Sequence, residues 1–382
     1  MHVRRLAWPV ALVGTTCVWG SPPLAAQESI AQIPPVTGMT LVSTLQYPMG
    51  DREDVIELKR VDSAGIHYVW RFVEFWREGD TVGDVHERRV RANDLAGAPR
   101  LDPVFARGDE LERPGYTAFS VSSAVYLALR DQGSARFTTT MVDTAAGALA
   151  SLGARAAPHR ARYKGTLTRV APSSQPFPLL VDGRRVTVPA LHLRGDFTDG
   201  ARSAAMELWV LADSAHPLLL KSVLGANVFQ MVRVDLPVAA SGAAAPGGVG
   251  TLRMGGLVER ELGAKCRVEL PGVYFAFNSA RIAPASDRAL AQVAAVLTRH
   301  PDWRLAVEGH TDSVGTAAAN QTLSLHRAEA VRARLAEQHG VNTGAWKATG
   351  YGATQPRESN ATIEGRARNR RVELVRACPQ RS

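Results

Sequence analysis

The chain has 382 residues, of which 45% are hydrophobic and 21% charged, a composition that supports two or three packed cores and excludes a disordered or fibrous protein. Its formal net charge of +9 favours anionic partners, yet the basic residues are scattered Arg rather than one concentrated patch. Three cysteines without ligand-like spacing exclude a zinc framework.

The first segment, "MHVRRLAWPVALVGTTCVWGSPPLAAQ", reads as an export signal. Arg4 and Arg5 precede an apolar run from Leu6 to Trp19, and Leu24-Ala25-Ala26 ahead of Gln27 predicts cleavage after residue 26. The competing reading is an uncleaved anchor, but the run falls short of the roughly 20 residues a span needs and contains Pro9. "VGTT" before Cys17 is a poor lipoprotein box. No later stretch is long and apolar enough to cross a bilayer, so the mature chain is expected to be soluble in an exported compartment. Removal of Cys17 leaves Cys266 and Cys378, an even pair in a compartment where disulfides persist; two buried free thiols are the alternative.

Residues 32–237 read as a β-rich antiparallel domain of unassigned function. "DVIELKRV" sets Ile56 and Leu58 opposite Glu57 and Lys59, and "GIHYVWRFVEFW" alternates in the same way. "LLVDGRRVTVPALHLRG" places an Asp182-Gly183 turn between apolar runs, a hairpin signal. "MELWVLADSAHPLLLKSV" and "VFQMVRVDLP" supply further strands, and Ser122 or Ser123 caps one helix, "AVYLALRDQG", that stops at Gly133. The aromatic girdles of a membrane barrel are missing.

Residues 238–256, Ala/Gly-rich and almost uncharged, predict a flexible linker. Residues 257–382 then read as strand, helix, strand, helix, strand, strand. "CRVELPGVYFAF" is the first strand, and Leu290, Val293, Ala294 and Leu297 form one helical stripe starting near "PASD". "WRLAVEG" follows, then a helix from about Leu323 to His339 stopped by Gly340, then "WKATGYG" and "NRRVELVRA". Two helices cannot cover both faces of four strands, so the fold class is α+β, with this β-α-β-α-β-β unit a two-layer sandwich.

Within it, "EGHTDSVGTAAANQTLSLHRAEAV" sets Asp312 and Arg327 fifteen positions apart, with Gly309 and Gly315 read as turn residues bracketing the acid and Asn320 free to bond the loop backbone. One acid and one Arg at a single mouth suit a zwitterion: Asp312 receives an ammonium and the Arg327 fork takes a carboxylate. A structural Asp312–Arg327 salt bridge is the other reading.

"GHTDSVGTAAANQTLSLHRAEAVRARL" with "GYGATQPRESNATIEGRARNRRVEL" resembles the OmpA-like peptidoglycan-binding domain of outer-membrane protein A, peptidoglycan-associated lipoproteins and motor stators. The likeness covers about residues 268–376. It implies that Asp312 and Arg327 hold the free amino and carboxyl groups of diaminopimelate in the wall peptide, that Asn278 in "FAFNSARI" and Arg370 in "NRR" complete the pocket, and that the last strand lies beside the first. Cys266 and Cys378 could then meet in a disulfide.

His310 has no nucleophile or ligand set beside it and reads as a packed loop histidine, and the run Arg366, Arg368, Arg370, Arg371 lacks the interleaved aromatics of a nucleic-acid surface. The resulting expectation is a non-enzymatic protein without cofactor or metal that binds diaminopimelate-type peptidoglycan. Its β-rich domain would meet the outer membrane, a lipid or an envelope protein. The alternative is a β-rich carrier or enzyme that the wall-binding module localises.

Overall fold

The computed structural model describes residues 28–47, 50–71, 85–103, 111–142, 160–225, 227–237, 254–275 and 278–377. The export signal, Cys378 and linker residues 238–253 lie outside them.

The N-terminal part runs β1 (Glu28–Ser29), β2 (Thr40–Tyr47), β3 (Gly50–Asp62), β4 (Gly65–Arg71), β5 (Val85–Arg91), α1 (Ala92–Gly97), β6 (Arg100–Leu101), α2 (Ser123–Gln132), β7 (Ser134–Val142), β8 (Arg160–Arg169), β9 (Gln175–Val181), β10 (Arg184–Thr198), β11 (Ser203–Leu211), β12 (Leu219–Leu224) and β13 (Asn227–Asp235). These strands form one sheet whose path is β5-β4-β3-β2-β13-β12-β11-β10-β8-β7-β6. The long β10 serves two neighbourhoods: its first half pairs with β9 and its second with β11 and β8. Because β9 also runs parallel to β13, the sheet folds back on itself around Leu41, Leu58, Val186, Val188, Leu220 and Val234. The predicted turn is present, with Asp182 and Gly183 both at positive φ (49° and 74°) between β9 and β10. Ser122 caps α2 by accepting from the Val125 N–H at 3.3 Å, and Gly133 ends it at φ 77°.

The C-terminal part runs α3 (Met254–Lys265), β14 (Arg267–Glu269), a 3-10 turn at Pro284–Ser286 leading into α4 (Asp287–Arg299), β15 (Leu305–Gly309), α5 (Ala317–His339), β16 (Lys347–Gly350), α6 (Ile363–Asn369) and β17 (Val372–Arg376). The sheet order is β14-β17-β15-β16, which puts the last strand against the first. One face buries Val268, Leu305, Val307, Val372 and Leu374 with Leu290, Val293, Ala328, Val331 and Leu335 of α4 and α5. The α+β reading therefore holds, with two helices beyond it. The last residues assigned to the linker, 254–256, open α3, which packs on α4. The first strand is only three residues long, because the chain turns at Pro271–Gly272.

The second helix begins at Ala317, six residues before the periodicity begins. Thr316 caps it by accepting from the Ala319 N–H at 3.2 Å, and its first turn, Ala317 to Ala319, is exposed and carries no large side chain, so there is no apolar stripe to read. Arg327 accordingly sits in mid-helix rather than in the first turns.

The two parts dock. Val42, Val55 and Val232 from β2, β3 and β13 share an apolar cluster with Tyr274, Ile363 and Ala367. Around it the Tyr274 hydroxyl donates to Asp235, and Gln230 donates to Glu364 at 3.4 Å. Beside it lies a cavity of about 100 Å³ lined by Thr40, Asp182, Asp235, Tyr274 and Arg288. Burial raises the Asp182 carboxyl pKa to about 6.

Candidate functional site

Asp312 follows the end of β15 and faces α5, and the sequence holds the two close by sacrificing side chains. A Cβ on Gly309 would lie 2.0 Å from the Ser324 carbonyl oxygen, and one on Gly350 would lie 2.4 Å from the Leu325 nitrogen. Helix α5 therefore rests directly on the backbone of β15 and β16. Gly309 is thus a close-approach residue at a strand end and not the turn glycine its position suggested. Gly315, at φ 93°, is the turn residue. Ser324 donates to the Gln321 carbonyl at 2.9 Å and accepts from the Gly352 N–H at 2.8 Å, fastening the helix to the next loop. Asn320 closes the Asp312 loop as expected, its amide donating to the carbonyls of Asp312 (3.2 Å) and Val314 (3.0 Å).

The structural Asp312–Arg327 salt bridge, the alternative to a ligand pocket, is not formed. Asp312 accepts from the Val314 N–H at 3.0 Å and from Arg370 Nη1 at 2.7 Å. Arg327 is buried, its Nε donates to the Ser279 carbonyl at 3.0 Å, and its guanidinium lies over the Phe275 ring at 5.0 Å. It makes no ion pair among the described residues. Burial lowers its pKa to about 10, with Glu53 the strongest opposing charge. Asn278 is exposed in a turn at φ 48°, one residue before the carbonyl that Arg327 contacts. Arg370 is the residue that caps the end of α6, and not part of the last strand as the sequence suggested.

Reading the sequence missed the residues that meet Arg370 from the N-terminal part. Its Nε and Nη2 donate to Glu53 Oε1 at 3.0 and 2.6 Å, and its Nη1 reaches Asp51 at 3.4 Å. Burial alone would lower the Arg370 pKa, but Glu53, Asp312 and Asp51 outweigh it and raise it. Asp51 also takes a two-pronged contact from Arg366, at 2.7 and 3.0 Å, with both side chains buried. These acids lie more than three hundred positions away in the chain, and no local motif marks them.

The sheet face away from the helices is charged. Glu269 and Glu308 are both in register with Glu373, an arrangement of like charges that would repel without compensation. Arg267 pairs with Glu308 at 2.8 Å and also with Glu373, Arg371 pairs with Glu373 at 2.5 Å, and Arg357 pairs with Glu269. His310 packs beside this network, stacked on Tyr351 with ring centroids 5.3 Å apart. Glu308, His310 and Glu373 are close enough to share a metal ion, but the two guanidiniums already neutralise the carboxylates. Burial, then Arg371, lowers the His310 pKa to about 4. The basic run is likewise consumed by carboxylates, Arg368 facing Glu358 at 3.3 Å.

A family model described as the OmpA family matches residues 274–370, the stretch holding Asp312, Asn320, Arg327 and Arg370. The C-terminal module belongs to the OmpA family. Outer membrane porin F of Pseudomonas aeruginosa is 47% identical to this chain over 107 residues, 28% of this chain and 30% of that protein. The peptidoglycan-binding protein ArfA of Mycobacterium tuberculosis is 40% identical over 103 residues, 27% of this chain and 31% of its own. The crystal structure of the peptidoglycan-associated lipoprotein from Burkholderia pseudomallei is similar over 28% of this chain and 88% of that one, at 34% identity and a TM-score of 0.26. The chain thus spans under a third of the two curated relatives. Among the described residues no helix is long and apolar enough to cross a membrane.

Proposed function

We propose that the OmpA-family module binds peptidoglycan non-covalently through the diaminopimelate of the stem peptide and anchors the β-rich domain to the wall, in the cell envelope and without catalysis. The observation that carries this reading is the buried Arg327 guanidinium, which has no ion pair among the described residues and lies near Asp312. An uncompensated buried charge is costly, and such a charge is retained where a ligand supplies the counter-ion. Arg327 takes the ligand carboxylate and Asp312 its ammonium. Arg370 holds the Asp312 carboxylate in place, Asn320 shapes its loop, and Asn278 sits at the rim beside Ser279. The similarity to ArfA, a peptidoglycan-binding protein, supports peptidoglycan as the ligand.

The test is a pull-down on purified sacculi of the diaminopimelate and lysine types. Losing one partner of a desolvated charge pair costs about 2 to 5 kcal/mol, enough to abolish capture by one weak site. Asp312→Ala loses both wall types, whereas Arg327→Ala loses chiefly the preference for the diaminopimelate wall, whose extra carboxylate it reads. Wild-type binding by both variants, folded by circular dichroism, rejects the reading.

A further inference from the structure

Three acceptors from the β-rich domain stand at the mouth of the module's pocket. Glu53 accepts from two nitrogens of Arg370, Asp51 faces both Arg370 and Arg366, and Thr44 Oγ1 lies 3.5 Å from Arg370 Nη2. All come from the β2–β3 pair, where Thr44 and Glu53 are register partners. Together with Asp312 they occupy every donor nitrogen of the Arg370 guanidinium. In the docked arrangement Asp312 and Arg327 are each only 7% exposed. A wall peptide cannot reach a pocket whose acid and base are both enclosed, with the β2–β3 carboxylates seated on the neighbouring Arg370 and Arg366.

We infer that the chain masks its own wall-binding site: the β2–β3 carboxylates Asp51 and Glu53 hold the β-rich domain over the Asp312–Arg327 pocket, and binding requires this clasp to open. The inference rests on the proposed function of that pocket. The arrangement is suited to regulation because its contacts are of the ligand's own kind. Acidic residues satisfy Arg370 in the closed state, so only Arg327 waits without a counter-ion for the ligand to supply. The apolar patch of Val42, Val55 and Val232 against Ile363 and Ala367 aligns the two surfaces, and the carboxylates set the register at the pocket. Any partner that engages the β2–β3 face would release the module for the wall, and wall binding would expose that face in return, as linkage requires.

The experiment uses the full chain in three forms: wild type, Asp51→Asn with Glu53→Gln, and that double variant with Arg327→Ala added. Glu53→Gln alone serves as a milder fourth form, since the Glu53 side chain is 23% exposed and its loss should leave the fold intact. Sacculus binding is read alongside small-angle scattering, which reports separation of the two parts whether or not a wall is present. The expected result is an expanded double variant that binds sacculi about tenfold more tightly, the factor recovered when a competent fraction of about one tenth approaches unity, with the gain abolished by Arg327→Ala. An expanded variant that binds no better, while Arg327→Ala still weakens binding, overturns the mask and leaves the wall-binding reading standing. A variant that stays compact overturns the role given to the two carboxylates. If the expanded form and the wild type both ignore sacculi, the wall-binding reading fails and the mask with it.

Discussion

An imidazole at position 310 binds its proton near pH 6.5 in an unfolded chain but only at about pH 4 in the fold. Burial removes the water that would solvate the cation, and Arg371 repels it, with Arg267 and Arg357 adding to the repulsion and Glu373 opposing it. Between these two pH values the unfolded chain takes up a proton that the folded chain refuses, so acid favours unfolding. The contribution is fully present above about pH 6.5, declines as the pH falls, and is exhausted near pH 4. At pH 4.5 the expected loss is about 2 to 3 kcal/mol, from 1.36 kcal/mol per pH unit over most of that interval. Urea unfolding followed by far-ultraviolet circular dichroism at pH 7 and 4.5 measures it, with His310→Phe as the comparison, since a phenyl ring preserves the stack on Tyr351. Carboxylate titrations common to both proteins cancel. The variant should lose about 2 to 3 kcal/mol less than wild type across the interval. Equal losses in the two proteins would refute the reasoning and mean that His310 is hydrated or paired in solution.

Two further outcomes follow from the same contacts. Asp51→Ala removes one partner of a pair whose side chains are 2% and 8% exposed, and should destabilise the chain by about 3 to 5 kcal/mol; a double-mutant cycle with Arg366→Leu measures the coupling, and a value below about 1 kcal/mol would show the pair to be incidental. The Arg376 N–H donates to the Cys266 carbonyl at 2.9 Å, which brings the chain near Cys266 two residues before Cys378. Alkylation mass spectrometry under denaturing, non-reducing conditions should find both thiols protected by a mutual bond worth at most about 4 to 5 kcal/mol, and free labelling of both would reject that bond.

What the sequence conveyed was whatever is written locally. The Asp182-Gly183 hairpin, the Ser122 cap, the Gly340 stop and the apolar stripe of α4 each depend on residues within one or two turns. The Asn320 contacts with the Asp312 loop were legible for the same reason. The start of α5 was not, because its first turn is three exposed alanines and only the Thr316 cap announces it. Helix α6 is short, and its sequence "IEGRARN" has too little apolar content to display a period, so Arg370 looked like a strand residue. Gly309 shows how a correct residue can receive the wrong reason: glycine before a loop suggests a turn, whereas the cause is a helix backbone lying in van der Waals contact. The direct contact between Asp312 and Arg370 arises from a tertiary arrangement that no spacing encodes.

The apolar cluster between the two parts has a practical consequence for anyone wishing to move the module to another protein. Excised, it would present Tyr274, Ile363 and Ala367 to water, and the remaining sheet would present Val42, Val55 and Val232. Each would be an apolar patch newly open to water, which invites association among separated pieces. A portable version would need polar replacements at those positions, chosen so that Arg366 and Arg370 keep carboxylate partners once Asp51 and Glu53 are gone. The surface that must be redesigned thus lies on β2, β3 and α6, away from the Ala/Gly-rich sequence of residues 238–253 that separates the two parts along the chain.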